Sequence, residues 1–251
     1  MKSLKPTIGL LAATLLWAGC TTVQVQAVRH TATGIESKEA IALLFWRQSP
    51  PDRQDAPPIR GKIDVWRQID EKEIVTCVSD EVRKAQPSLR VVPQDEFRRV
   101  AFPDLPPEAA PNSPEYLTLL LNHATFRERI SSLGIRYLIF LRGATEEKGD
   151  ASAGGVAGPG AGVLVIGGSW DRNTRLSASI LDLKQSREAG SVAASASGRP
   201  WFFAVLPSPL ILGMPAFTES KACGELGQEL VRFLAGERQT ETEEDQKWSS
   251  K

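Results

Sequence analysis

The sequence predicts an α/β (α+β) fold: a single domain on a mixed sheet, with a parallel βαβ first half, an antiparallel meander second half and a C-terminal helix. Three observations predict it. Residues 41–46, Ile-Ala-Leu-Leu-Phe-Trp, form an unbroken apolar run of the kind buried on both faces of a sheet. An amphipathic stretch then leads to a second short run, Leu89-Arg90-Val91-Val92, and strand–helix–strand order implies a right-handed parallel crossover. After Gly143 the strand candidates follow one another on short connections, which is the pattern of an antiparallel meander.

Taken in order, residues 1–19 read as a signal peptide, 20–38 as a polar tether, 39–236 as the domain and 237–251 as a charged, disordered tail. Residues 48–62, rich in proline and charge, read as a loop. The helix over 71–86 starts at Asp70, with Glu73 three residues on as capping-box partner, and stops before Pro87. A helical turn is expected within 93–102, and an irregular segment over 103–114, which carries five prolines. Residues 115–133 read as one or two helices broken near Asn122-His123 and capped by Gly134. Residues 135–141 are the clearest strand. Residues 151–162, almost all Gly, Ala, Ser and Pro, read as a flexible loop. Strands are expected at 162–167, 175–183 and 190–197, with turns at Asp171-Arg172-Asn173 and at 184–187. The last helix spans 218–234 and ends at Gly236.

The first residues read as an address. Lys2 and Lys5 precede an apolar run over 8–18, right for a signal peptide and too short to span a bilayer. The run closes on Leu16-Trp17-Ala18-Gly19-Cys20, which resembles a bacterial lipobox with Cys20 as the lipid-modified first residue of the mature chain. Trp17 stands where Leu is usual. The other reading is an ordinary secretory peptide in which Cys20 has no role. Diacylglycerol plus an amide-linked chain supplies the two anchors that stable attachment needs. Thr21, not Asp, follows the cysteine, and by resemblance to enterobacterial sorting this favours the outer membrane, facing the periplasm.

Two cysteines remain, Cys77 and Cys223, an even count in an oxidising compartment. Each lies on the apolar face of a predicted helix, with Ile74, Val78 and Val82 in one and Leu226, Leu230 and Phe233 in the other. Helices on one face of a sheet would let the sulfurs meet. The alternative is two buried thiols.

Composition narrows the function classes. Lys plus Arg and Asp plus Glu both number 30, so no basic surplus points to nucleic acid. Two His and three Cys leave little for a zinc site, since tetrahedral sites want four ligands at tight spacing. The Gly-rich segment at 154–160 lacks the Gly-Lys-Ser/Thr ending of a phosphate loop and the dinucleotide fingerprint. No G-x-S-x-G or H-E-x-x-H occurs, and His30 and His123 read as surface or capping residues. The expectation is a non-enzyme with no metal, cofactor or small-molecule substrate. The strongly apolar 201–212 segment, interrupted by Pro207 and Pro209, has two readings. One is a long loop filling a satellite cluster at the sheet edge. The other is an exposed patch in which Trp201, Phe202 and Phe203 touch membrane or a partner.

The order of elements resembles the periplasmic α/β domain shared by the curli-secretion lipoproteins and the lipoprotein activators of penicillin-binding proteins. The residues that carry it are the strand at Ile41 to Phe45, the strand at Leu89 to Val92, Arg136-Tyr137-Leu138-Ile139 running toward Gly143, and Leu181-Asp182-Leu183-Lys184 at a turn. Phe45 and Trp46 replace the usual Pro-Phe, and Lys184-Gln185-Ser186 replaces Lys-Thr-Gly. The resemblance implies a tethered envelope domain, and a fold does not fix a function. Two functions follow as expectations. The first is a membrane-tethered regulator or assembly factor that binds a partner protein in the envelope. The alternative is a ring-forming outer-membrane secretion or transport lipoprotein. The alternative needs lipid-facing strands of about 9–11 residues; the hairpin that 162–170 and 175–183 would form reads as too short, and as too polar at Arg175.

Overall fold

A computed structural model describes residues 21–36, 38–46, 62–106, 109–111, 113–158, 161–206 and 210–237. The expected fold class is present: one mixed sheet of nine strands carries parallel and antiparallel pairs, helices flank it, and a helix closes the chain.

Strand β2 (Ala40–Phe45) is buried along its whole length, because helices cover both of its faces. Ile41, Leu43 and Phe45 point to one core, and Ala40, Ala42 and Leu44 to the other. The chain passes through β3 (Lys62–Gln68) to α1 (Glu71–Ala85), where Asp70 Oδ1 accepts from the Lys72 N–H at 2.8 Å and the Glu73 N–H at 3.4 Å. Helix α1 leads to β4 (Arg90–Val92), parallel to β2. On the opposite face follow α2 (Gln94–Ala101), α3 (Pro114–Leu120) and α4 (Ala124–Ser131). The break between α3 and α4 falls at Asn122-His123, as expected, and Gly134 closes the segment at φ +63. Strand β5 (Ile135–Gly158) then runs parallel to β2 on its other side.

From β5 onward all new pairing is antiparallel. β6 (Ala161–Asp182), β7 (Arg187–Gly198), β8 (Trp201–Leu206) and β9 (Leu210–Met214) precede α5 (Thr218–Ala235). The main order is β1-β7-β6-β5-β2-β4, with β3 on β5 and with β8 and β9 added to the outer part of β6. Helices α1 and α5 share one face, with Leu226, Leu230 and Phe233 set against Ile139, Ile180 and Val192. Gly227 lets the two helices approach closely, since a Cβ there would lie 2.5 Å from that of Glu81. The juxtaposition brings Cys77 to Cys223, which form a disulfide with Cα atoms 6.3 Å apart.

Four expectations are overturned. The tether expected over 20–38 contains β1 (Thr22–Arg29), fully paired with β7. Val23, Val25 and Ala27 pack under α5, and burial of that face holds the segment in the sheet. The folded body therefore starts near residue 22, not 39. Strand β3 occupies 62–68, where only the end of a loop was expected. The flexible loop over 151–162 is instead the outer part of a hairpin that pairs from Tyr137↔Asp182 out to Gly158↔Ala161. Asp171-Arg172-Asn173 is no turn; it lies inside β6, opposite Lys148, Glu147 and Glu146. Its charges are matched there: Arg172 meets Glu147 at 3.2 Å and Asp171 meets Arg199 at 3.1 Å. The turn at 184–187 does form, with Asp182 Oδ1 accepting from the N–H groups of Lys184 and Gln185. The tail from 238 on, the signal peptide and the 48–61 loop lie outside the described residues.

Candidate functional site

The feature that stands apart from the packed core is one end of the sheet. Strands β5 and β6 run on beyond the domain, past the pair Lys148↔Asp171. Residues 151–170 contain no ionisable side chain, and neither do residues 200–218. The two segments are brought together. The outer part of β6 pairs with β8 from Leu164↔Leu206 to Ser169↔Trp201, and β8 pairs with β9 from Trp201↔Met214 to Val205↔Leu210. The result is a four-stranded antiparallel extension, β5-β6-β8-β9, built from an Ala/Gly-rich hairpin and an aromatic one.

Trp201, Phe202 and Phe203 all lie on β8, opposite Ser169, Gly168 and Gly167. Trp201 and Phe202 are half-buried, and the Phe202 ring packs on Trp170 with centroids 6.1 Å apart. The reading of 201–212 as a loop therefore gives way to a hairpin. Arg175, which weighed against an inserted hairpin, belongs to the domain proper, where it pairs with Ala144 and Ser195.

The same end receives the first described strand. Thr22, the first residue of β1, pairs with Ser197 near the end of β7. Beside it, Thr21, Ala216 and Thr218 crowd around Gly198, within 2.9–3.4 Å of where a Cβ would sit. Phe217, between the last two, is 65% exposed. Cys20 itself lies outside the described residues. Only Thr21 separates it from the first strand, so about 7 Å of chain at most joins it to Thr22.

A polar network fixes α5 at this end. Glu219 is met by Arg67 at 2.7 Å and Arg172 at 2.9 Å, and the Thr145 hydroxyl donates to it at 3.0 Å. Thr145, Thr174 and Thr218 are fully buried. Their hydroxyls are 3.0 Å and 2.8 Å apart in sequence. A hydroxyl has one proton to donate. Since Thr145 gives its own to Glu219, Thr174 donates to Thr145 and Thr218 donates to Thr174. Burial pushes the Glu219 carboxyl up, but the Thr145 hydroxyl and the guanidiniums of Arg172 and Arg67 outweigh it and hold it below the usual carboxylate range. None of this network was singled out in the sequence; a buried Thr looks like any other strand residue.

Of the other residues weighed, His123 is exposed at the start of α4 and His30 is exposed just after β1. Among the described residues no three His, Cys, Asp or Glu side chains gather as metal ligands. Among the same residues no helix is long and apolar enough to cross a membrane.

No family model matches the chain, and no curated protein does. Solved structures that overlap it include the PelC dodecamer of Paraburkholderia phytofirmans, at 12% identity and TM-score 0.32 over 87% of this chain and 100% of that one. A point variant of that dodecamer overlaps at 11% identity and TM-score 0.31, with the same coverage. Overlap this slight transfers nothing to the present chain.

Proposed function

We propose that this is a non-enzymatic envelope lipoprotein, anchored by lipid on Cys20 to the outer membrane and facing the periplasm, whose copies assemble through the apolar sheet extension into a ring for secretion or transport. The observation that carries the proposal is the extension itself. Its uncharged strands, Ala151 to Gly158 and Ala161 to Trp170, approach the length of about 9–11 residues that a tilted strand needs to cross a bilayer. Among the described residues, β5 pairs only with β6 beyond Asp150, and β9 only with β8, so the extension has two open edges. Hydrocarbon does not tolerate an open sheet edge, and barrels that close alone have about eight strands or more. Four strands satisfy their backbone in lipid only by joining those of other copies, β9 of one to β5 of the next. Such head-to-tail contacts close into a ring when the rotation between copies closes, as in a barrel, which leaves no open edge.

The rival reading is a regulator or assembly factor, monomeric or dimeric, whose apolar extension is covered by a different envelope protein. The two separate by mass. Light scattering behind size exclusion on the detergent-extracted, lipidated protein should give a discrete species of many subunits. A monomer or dimer would overturn the ring and leave the partner-binding reading. A second variant sharpens the test. Lys148 and Asp171 are direct partners, as are Trp201 and Met214. Asn-Gly turns can therefore replace residues 149–170 and 202–213 without moving the flanking pairs. With Cys20→Ser added, this form should be a water-soluble monomer that keeps the disulfide; a ring that persists would place the contacts elsewhere.

A further inference from the structure

The face of β1, β7 and β6 opposite α5 carries a concave platform of about 560 Å³ lined by mixed polar and apolar groups, and we infer that it binds an acidic saccharide. Register builds it. Across five strands run Gln24, Ser195, Arg175, Ala144 and Gln68, each opposite the next. One step along, Gln26, Ala193, Ser177 and Arg142 form a second row. Strand spacing of about 4.8 Å makes the first row roughly 19 Å wide. Trp66 borders it from β3.

The chemistry of the lining is selective. Two guanidiniums face the cavity and no carboxylate lines it. Arg142 is pre-set: its Nε donates to Ser177 Oγ at 2.7 Å and its plane lies over the Trp46 ring at 5.5 Å. That leaves its terminal nitrogens to meet a ligand. Arg175 is exposed and has no ion pair or hydrogen bond among the described residues. The nearest acid on this face, Glu146, sits one row outward and is held by Lys148 at 2.7 Å. A paired cation site in a chain of zero net charge selects a carboxylate, which guanidinium meets with two parallel hydrogen bonds. Three carboxamides and two serine hydroxyls, each both donor and acceptor, suit the hydroxyls of a sugar. The Trp66 indole offers an apolar face with a polar edge to the sugar ring. A peptide fits worse. Strands β5, β6 and β7 are paired on both sides here, so among the described residues strand addition is open only at the outer edges of β1 and β3, away from both arginines, and the apolar lining besides Trp66 is alanine and the buried Leu176.

The test is calorimetric titration of the full lipidated protein in detergent, at low salt, with a hexamer of galacturonic acid. Binding in the micromolar-to-millimolar range is expected. Arg175→Gln and Trp66→Ala should each weaken it at least tenfold with an unchanged melting temperature, and the neutral cellulose hexamer should bind at least tenfold more weakly. No binding of the galacturonate hexamer overturns the proposal. So does equal binding of hexaglutamate, which would make the face a general anion sink, or indifference to both substitutions, which would put the ligand elsewhere. None of these outcomes bears on the mass of the assembly.

Discussion

Removing the Cys77–Cys223 disulfide should cost the domain most of its margin of stability. The two cysteines are separated by 146 residues and tie α1 to α5. For a closed loop of that length the chain-entropy relation gives about 17 cal/mol/K, or about 5 kcal/mol at 25 °C. Measured losses for native disulfides run to about 5 kcal/mol, so a loss of about 4–5 kcal/mol is expected for the Cys77→Ala/Cys223→Ala variant. With a urea m-value of roughly 2.5 kcal/mol/M, the midpoint should fall by about 1.5–2 M. The assay is urea unfolding followed by far-ultraviolet circular dichroism, which reads the helices. Reduction of the unsubstituted protein should give the same shift, because the entropy belongs to the unfolded chain and not to the native contacts. A loss under about 1 kcal/mol, with the bridge verified by mass in the parent, would refute the reasoning. A large loss in the double variant but none on reduction would assign the effect to packing around Cys223, which is 3% exposed.

Three further outcomes follow from the same face of the sheet. Thr174→Val keeps the side-chain shape but strands the Thr218 hydroxyl proton and removes the donor to Thr145, so it should cost about 1–3 kcal/mol in thermal or chemical unfolding. The Glu219 pKa is depressed in the folded state, so its contribution is complete above the unfolded value and is lost as pH falls through the folded one. Stability should therefore drop with acid below the ordinary carboxylate range, and Glu219→Gln should flatten that part of the profile. Gly190 sits at φ +149 beside the register shift in the β6–β7 pairing, and a Cβ there would meet the Val28 carbonyl oxygen at 2.1 Å and Phe233 Cζ at 2.9 Å. Gly190→Ala should lower stability by more than about 2 kcal/mol and loosen β1, which hydrogen exchange along 22–29 would register.

What could be read from the sequence depended on whether a segment's fate is local. Strand β2 was legible because a strand covered on both faces must be apolar throughout, and residues 41–45 are. Helices α1 and α5 were legible because their apolar spacing and their ends, Asp70 and Gly236, carry the helical code themselves. Strand β1 carries a clean alternation, Val23, Val25 and Ala27 inward with Thr22, Gln24 and Gln26 outward. Its mixed, polar composition nevertheless reads as a tether. The outer hairpin could not be read locally at all. Alanine and glycine have weak strand preference, and those residues are strands because the two arms of the hairpin pair with one another, the second arm being joined by β8 from Leu164 to Ser169. The platform was illegible for a related reason: Gln24, Arg142 and Arg175 are far apart in sequence, and only the register of three strand pairs sets them side by side.

The placement of the first strand also fixes how the proposed anchor and the proposed extension would act together. A lipid on a true tether would leave the domain free to tumble, and the extension would have to find the bilayer by search. Here Thr22 is already in the sheet, at the end from which β5, β6 and β8 leave the domain. A lipid on Cys20 would hold that end within about 7 Å of the membrane surface. The search is then replaced by a fixed approach, and the entropy of docking is largely spent when the lipid inserts. The network around Glu219 serves the same geometry, since Thr145 on β5, Thr174 on β6 and Thr218 on α5 lock together where the extension begins. A load on the hairpins would pass into the α5 face of the core and, through Cys223, into α1. If the extension enters the bilayer as proposed, the disulfide and the threonine chain would brace the domain against it.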